Sequence, residues 1–306
     1  MNQTLYQTLV LALGEEQVIK KEPMSKHTTF RIGGDADLFV VPQNAEQVKQ
    51  VVCHAKEAKV PYYFIGNGSN LLVSDDGIRG VVILIADNMK AIEVDDTTIR
   101  AQAGISLASL AKQALKNELT GFEFAAGIPG TLGGAVSMNA GAYGGEMKDV
   151  LLEATVLTDE GEIVTLSKEE LELGYRTSLV GRNHYIVLEA VVALEKGRKE
   201  DILLKMEDLA QRRRDKQPLE YPSAGSTFKR PEGYFAGQLI DETGLRGFQV
   251  GGAQVSEKHC GFVINTGNAT SHDVRQLIEE VANRVEKKFG VRLHPEVKMI
   301  GFENDR

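Results

Sequence analysis

The residues best suited to chemistry in this chain fall in two glycine clusters and three later polar motifs. The first cluster, Gly66-Asn67-Gly68-Ser69-Asn70, follows an apolar run from Tyr62 to Ile65. The second, AGIPGTLGGAVSMNAGAYGGE at 126–146, holds seven of the chain's 31 glycines. Glycine loses much conformational entropy on folding, so such density points to positive-φ turns or to backbone N–H groups laid against a ligand. Ile128, Pro129, Leu132, Val136 and Met138 are too apolar for a flexible linker, and Thr131 and Asn139 supply directed polar groups. The first cluster is not a dinucleotide fingerprint, because Leu71 stands where a third glycine belongs and no helical pattern opens there. It lacks the GK[ST] of a P-loop. Its small residues can still turn N–H groups toward one point, with Asn67, Ser69 and Asn70 as further donors, which suits a pyrophosphate. Pairing with GIPGTLGG (127–134) suggests an extended phosphate linkage lying between two loops of one domain.

The polar motifs are more ambiguous. Arg176, in GYRTS, is a permanent planar cation suited to a carboxylate, and by itself reads as a surface ion pair. Ser226, in AGSTFKRP, reads as a turn residue or cap, since a hydroxyl is a poor acid outside a dry, aligned site. Glu296, in HPEV, reads as a strand-end glutamate beside a proline bend. Lys216 and Lys229 are either solvated or contacts for a diphosphate or carboxylate. Arg212 to Arg214 read as a wet helix end, and His259 and Cys260 as packing residues. No spacing of metal-ligating residues appears, so no metal is expected.

The totals bound the answer. Net charge is −8, which argues against nucleic acid as a partner and requires any anion to be held locally. Two cysteines, Cys53 and Cys260, support neither a disulfide framework nor structural zinc, and suggest the cytoplasm. Leu5, Leu9, Val10, Leu11 and Leu13 are too few for a membrane span, no secretory signal frames them, and they read as one face of a short helix. No membrane partner is expected.

The positioning elements alternate. A strand at 37–41 leads to a helix ending near Lys59, opened by a capping box of Asn44 and Gln47. Strands follow at 62–65, 81–85, 91–94 and 97–102, then a helix capped by Ser106. Beyond the second cluster, strands 150–157 and 162–166 are joined at Asp159-Glu160-Gly161, and the apolar run 185–194 reads as a central strand. A composition shift near 198 marks a domain boundary, followed by a helix to Arg214. The C-terminal part holds a loop at 221–231, a short helix, strands around Gln249 and Phe262, a long helix through Val274 and Val285, and a last strand at 291–300.

Taken in order, IGNGSNLLVSD (65–75), AGIPGTLGGAVSMNAGAYGGE (126–146), GYRTS (174–178), AGSTFKRP (224–231) and HPEVKMIG (294–301) resemble the UDP-N-acetylenolpyruvoylglucosamine reductase family over nearly the whole chain. The resemblance implies an α+β fold. A helical segment (1–29) would precede a two-lobed FAD-binding domain of the vanillyl-alcohol-oxidase (PCMH) type (30–197, lobes about 30–85 and 86–197). A C-terminal α+β substrate-binding domain (198–306) would follow.

It also implies FAD and NADPH as cofactors and a UDP-sugar as substrate: UDP-N-acetyl-3-O-(1-carboxyvinyl)glucosamine, reduced to UDP-N-acetylmuramate. Adding hydride to the terminal carbon of that enol ether leaves negative charge on the carbon beside the carboxylate, which must be spread and then protonated. The resemblance makes Arg176 the enolate-stabilising cation, Ser226 the proton donor and Glu296 the third catalytic residue. It implies FAD contacts from Gly66, Asn67, Gly68, Ser69, Asn70, Gly127, Ile128, Pro129, Gly130, Thr131, Gly133, Gly134, Ala135 and Asn139. Substrate contacts fall to Lys216, Lys229 and Arg230, the last where many members carry asparagine. The short interval between Arg176 and Ser226 resembles the compact class, which lacks an inserted substrate-covering tyrosine segment.

Overall fold

The computed structural model describes residues 2–86 and 88–302; positions 1, 87 and 303–306, which include both outer ends of the sequence-drawn segments, lie outside it. Its chain contributes to two units. One comprises Met1–Ile19, Leu38–Asn67 and Gly80–Arg213, the other Lys20–Asp37, Gly68–Arg79 and Arg214–Arg306. The units group the chain otherwise than the expected segments 1–29, 30–197 and 198–306, with long-range bonds holding two early pieces to the C-terminal part. Thr29 Oγ1 donates to the Ser223 carbonyl at 2.6 Å, Asn265 Nδ2 donates to the Phe30 carbonyl at 3.0 Å, and the Asp75 carboxylate accepts from Ser271 N and Oγ, both at 2.8 Å.

In the first unit, the helix Gln3–Leu13 buries Leu5, Leu9 and Leu13 at helical spacing. Leu11, assigned to the same face from sequence, falls on the opposite side of the helix and is 89% exposed. The helix Ala45–Glu57 buries Val48, Val51, Val52 and Ala55, each apolar side chain contributing about 1–3 kcal/mol of transfer free energy. Asn44 caps it, accepting from Gln47 N at 2.9 Å. The reciprocal bond is displaced by one residue: Gln47 Oε1 accepts from Gln43 N, at 2.7 Å, instead of from Asn44 N. Tyr62–Ile65 pairs in parallel with Ile78–Leu84, Tyr62 opposite Val81.

A five-stranded antiparallel sheet follows, in the order Ile163–Ser167, Leu151–Leu157, Ile186–Ala193, Thr98–Gln102, Ile92–Asp95. Ile186–Ala193 is its middle strand, as its nearly continuous apolar run, interrupted only by Glu189, suggests. The hairpin tip is held by Asp159, whose Oδ1 pairs with Lys56 Nζ at 2.5 Å and accepts from Tyr62 Oη at 3.3 Å, while Gly161 takes φ +85°.

The helix Lys199–Lys216 fully buries only Ile202. It is tied down by Lys205, whose Nζ donates at 3.0 Å to Glu123, a carboxylate only 2% exposed. Glu123 also accepts from Thr120 Oγ1 at 2.6 Å and from Gly121 N.

The second unit has a four-stranded antiparallel sheet in the order Ser223–Ser226, Phe262–Asn265, Ala253–Val255, Gln249–Val250. The helix Ser271–Phe289 lays Val274, Leu277, Ile278, Val281, Ala282 and Val285 into its core. Thr270 and Asp273 close a full capping box at its start, and Gly290 at φ +70° ends it. The last strand is only Lys298–Ile300, parallel to Leu71–Val73. Of the longer strand read at 291–300, residues 291–294 are irregular and Pro295 makes only an isolated antiparallel bridge to Phe228. Among the described residues, no helix is long and apolar enough to cross a membrane.

Candidate active site

The first unit brings parts of both glycine clusters into contact. A Cβ on Gly66 would lie 2.3 Å from Thr131 Oγ1, so only glycine allows the approach, and Asn67 Nδ2 donates to the Pro129 carbonyl at 3.2 Å. The second cluster is not wholly loop. Thr131, 2% exposed, is the N-cap of a short helix, Leu132–Ser137, its Oγ1 accepting from Gly134 N at 3.4 Å.

That helix sorts the backbone donors. Leu132 N, Gly133 N and Ala135 N are committed to the carbonyls of Ile105, Ala103 and Thr131, and Ile128 N to that of Ala125. Among the described residues, Asn67 N, Gly127 N, Gly130 N and Thr131 N enter no such bond. Uncommitted N–H groups beside a glycine contact are the donor set a diphosphate needs, so these residues fit a dinucleotide cofactor. Gly133 and Ala135 serve packing: a Cβ on Gly133 would meet Ala103 Cβ at 2.9 Å, and Ala135 is buried. Gly134 is open on its outer side, where a Cβ would meet only Thr131 Oγ1 at 3.6 Å.

The same cluster positions Arg176. Gly174 and Thr177 bond to each other across a tight turn, at 3.0 and 3.3 Å, and Arg176 stands on it at φ +55° with its Nε buried. Such a φ is costly for a side-chain-bearing residue and persists where the surroundings over-determine it. Here they do. Asn139 Nδ2 donates to the Gly174 carbonyl at 3.0 Å and to Glu146 Oε2 at 2.7 Å, and its Oδ1 accepts from Lys148 N at 2.8 Å. Asn139 is 1% exposed, with an amide directed inward to this turn, so its contribution is to position Arg176. Ser178 adds a second tie, its Oγ donating to the Ser137 carbonyl at 2.7 Å.

In the second unit, Gly68 takes φ +60° against the His27 carbonyl, which a Cβ would meet at 1.9 Å. Ser69 is half-buried beside it. Asn70 Nδ2 donates to the Glu296 carbonyl at 3.2 Å, and its own carbonyl accepts from Lys298 N at 3.0 Å, so Asn70 fixes the backbone around Glu296.

Ser226 is exposed at the end of its strand, one residue before Thr227, which is fully buried with Oγ1 accepting from Val263 N at 2.9 Å. A register shift between Ser223 and Ser226, with Gly225 at φ +73°, turns the strand so that Ser226 faces outward. Glu296 N donates to the Thr227 carbonyl and Lys229 N to the His294 carbonyl, both at 2.8 Å, and Phe228 bridges Pro295. The motifs of Ser226 and Glu296 are therefore joined backbone to backbone.

Lys229 and Arg230 are exposed; the Arg230 guanidinium lies 4.0 Å from the Phe235 ring centroid and donates to the Tyr234 carbonyl at 3.3 Å. Lys216 ends its helix exposed, and its charge helps burial to lower the pKa of His259. His259 packs edge-on to Phe262, and Cys260 is buried.

Two cations escape a reading by sequence. Lys298 stands two residues beyond Glu296; the residue is exposed, yet desolvation by the surrounding chain, with nearby Lys229, pushes its pKa below the ordinary lysine value. Arg213 was merged into an arginine run, yet it is in helical phase with Ile202, Met206 and Leu209, the inward face. Its Nε is buried.

Residues 36–167 match the family described as FAD binding domain, and residues 217–300 match UDP-N-acetylenolpyruvoylglucosamine reductase, C-terminal domain. The UDP-N-acetylenolpyruvoylglucosamine reductase of Lachnoclostridium phytofermentans is 55% identical over 305 residues, 98% of each chain. That of Clostridioides difficile is 54% identical over 300 residues, 98% of this chain and 99% of its own. The crystal structure of the Thermus caldophilus enzyme superposes with a TM-score of 0.79 at 35% identity, covering 93% of this chain and 98% of that one. Phl p 4.0202, a glucose dehydrogenase, shares the fold alone, with a TM-score of 0.51 at 14% identity over 64% of this chain and 45% of its own. The fold is thus α+β, an FAD-binding domain of the vanillyl-alcohol-oxidase type with a C-terminal substrate domain, and the chain belongs to the UDP-N-acetylenolpyruvoylglucosamine reductase family of FAD-dependent oxidoreductases.

Proposed function

We propose that the chain catalyses the NADPH-dependent reduction of UDP-N-acetyl-3-O-(1-carboxyvinyl)glucosamine to UDP-N-acetylmuramate, a step of peptidoglycan precursor synthesis, in the cytoplasm. The chemistry supplied by FAD, when bound, is hydride relay from NADPH to the terminal vinyl carbon. The observation that carries the reading is the pairing of 55% identity across 98% of the chain with a tied motif pair, Ser226 and Glu296, in the C-terminal unit.

The residues divide the work by chemistry. Asn67, Gly127, Gly130 and Thr131 hold the cofactor diphosphate through backbone N–H groups, Gly66, Pro129 and the open side of Gly134 shape the loops around it, and Gly68, Ser69 and Asn70 continue the first cluster. Arg176, fixed by its strained turn, takes the substrate carboxylate and the enolate charge that develops from it. Ser226 Oγ gives its proton to the carbon beside the carboxylate, and Glu296 polarises that end of the substrate. Lys216, Lys229 and Arg230 supply cations to the diphosphate of the sugar nucleotide.

Anaerobic stopped-flow tests the reading. NADPH-reduced holoprotein is expected to be reoxidised by the enolpyruvyl sugar nucleotide with recovery of oxidised-flavin absorbance. Flavin that stays reduced in the presence of that substrate defeats the assignment.

A further inference from the structure

Arg213 is a cation with no evident structural purpose. Its neighbour Arg212 is paired with Asp208 at 2.8 Å on the solvent side, whereas Arg213 turns inward and is paired with no carboxylate among the described residues. Its Nε is fully buried without a hydrogen-bond partner. Desolvation pulls its pKa below the ordinary arginine value, and the Tyr143 phenol is the one ionisable group whose field opposes that pull. Arg213 is half-buried and its Nε is shielded without a partner, a desolvation cost that an arriving anion would offset.

The surroundings indicate where. The side chain lies along Gly127: a Cβ there would be 3.1 Å from Arg213 Nη1 and 3.3 Å from its Cδ, so the glycine keeps this place open. Gly127 is exposed, and its N–H enters no backbone bond among the described residues. Tyr143, from the end of the same glycine-rich cluster, is 46% exposed and held at φ +54°. A guanidinium, an uncommitted backbone N–H and a phenol therefore belong to one locality of the first unit, and each donates to oxygen.

We propose that Arg213, with Gly127 N and Tyr143, forms an anion-binding subsite that takes a phosphate or carboxylate oxygen of a bound ligand. The inference rests on the functional reading above and names two sources for the anion: the phosphates of FAD, or the anionic groups of the enolpyruvyl sugar nucleotide. The fork geometry of arginine favours either over a lone halide.

The test uses Arg213→Met, Arg213→Lys and Gly127→Ala, with three readouts: the FAD dissociation constant of flavin-stripped protein, the dissociation constant of the enolpyruvyl sugar nucleotide from its perturbation of oxidised-flavin absorbance without NADPH, and the melting temperature of the flavin-stripped protein. If the anion belongs to FAD, Arg213→Met weakens FAD roughly tenfold or more and leaves the sugar nucleotide's constant unchanged. If it belongs to the substrate, the two effects exchange.

In either case, the flavin-stripped Arg213→Met protein melts no lower than wild type, because the substitution removes a half-buried charge that no carboxylate pairs with among the described residues. Arg213→Lys recovers part of the lost affinity, and Gly127→Ala, which crowds the guanidinium, shifts the same constant as Arg213→Met in the same direction. Unchanged constants for both ligands overturn the proposal, as does a lower melting temperature with both affinities weakened alike, the mark of a packing residue. Failure of the functional reading is distinguishable: wild-type holoprotein whose flavin spectrum ignores the sugar nucleotide defeats that reading, and the FAD constant then decides this one alone.

Discussion

Asn139 Nδ2 donates to the Gly174 carbonyl at 3.0 Å, and that bond ties the glycine-rich cluster to the turn on which Arg176 stands at φ +55°. One amide thus joins two motifs 35 residues apart in the chain. The second Nδ2 bond, to Glu146, and the Oδ1 bond from Lys148 leave Asn139 no freedom to rotate.

Asn139→Asp is expected to lower turnover more than tenfold while FAD affinity stays within about twofold of wild type, since the new carboxylate faces the Gly174 carbonyl and Glu146 and loosens the Arg176 turn. Turnover with the enolpyruvyl substrate and FAD titration of the stripped protein check it. Loss of FAD with turnover intact in the reloaded enzyme would mark Asn139 as a cofactor contact instead.

Ser226→Ala separates the half-reactions. NADPH should reduce the flavin within about twofold of the wild-type rate, and the second half-reaction should slow by about 10²–10⁴, the range of a lost general acid. Stopped-flow absorbance reads both steps. Equal losses in both halves would reduce Ser226 to a structural residue of its bulged strand.

The two adjacent glycines predict different failures. Gly134→Val places its side chain on the open face of the short helix and should weaken FAD roughly tenfold in a folded protein, whereas Gly133→Val collides with Ala103 in the core and should cost about 1–3 kcal/mol of stability. Circular dichroism melting beside FAD titration distinguishes them. Full flavin occupancy in folded Gly134→Val would remove the open face from the cofactor site.

Glu123 predicts a pH dependence. Burial by itself would raise its pKa, but hydrogen bonds from Thr120, the local backbone, Lys205 and Gly121 prevail and hold it below the ordinary glutamate value. A folded pKa below the unfolded one means that its stabilisation is fully present above the unfolded value of about 4.3 and is lost as pH falls through the folded pKa. Glu123→Gln should therefore lower stability by about 1–3 kcal/mol at pH 7 and shrink that difference toward acid. Urea melts at pH 7 and near pH 3.5 check it; a difference that is the same at both pH values contradicts the ionic role.

Much of the architecture is legible in the chain because its causes are local. Alternation and apolar runs predict the antiparallel strands and their middle member, Ile186–Ala193, and Asn44 and Ser106 are caps by residue type and place. The motif order alone carries the family resemblance, and sequence identity across 98% of the chain agrees with it. What tertiary structure alone decides are choices between partners far apart in sequence.

The short helix from Leu132 is hidden by its two glycines, and it forms because Thr131 caps it while Ile105 and Ala103 accept its first free donors. Its formation commits the N–H groups of Gly133 and Ala135 to the carbonyls of Ala103 and Thr131. By residue type Asn139 could bond many partners, and the fold gives its amide to Gly174 and Glu146; Arg213 reads as a wet arginine until the helix phase turns it inward. A residue type states which bonds are possible; only the folded chain states which of them are already taken.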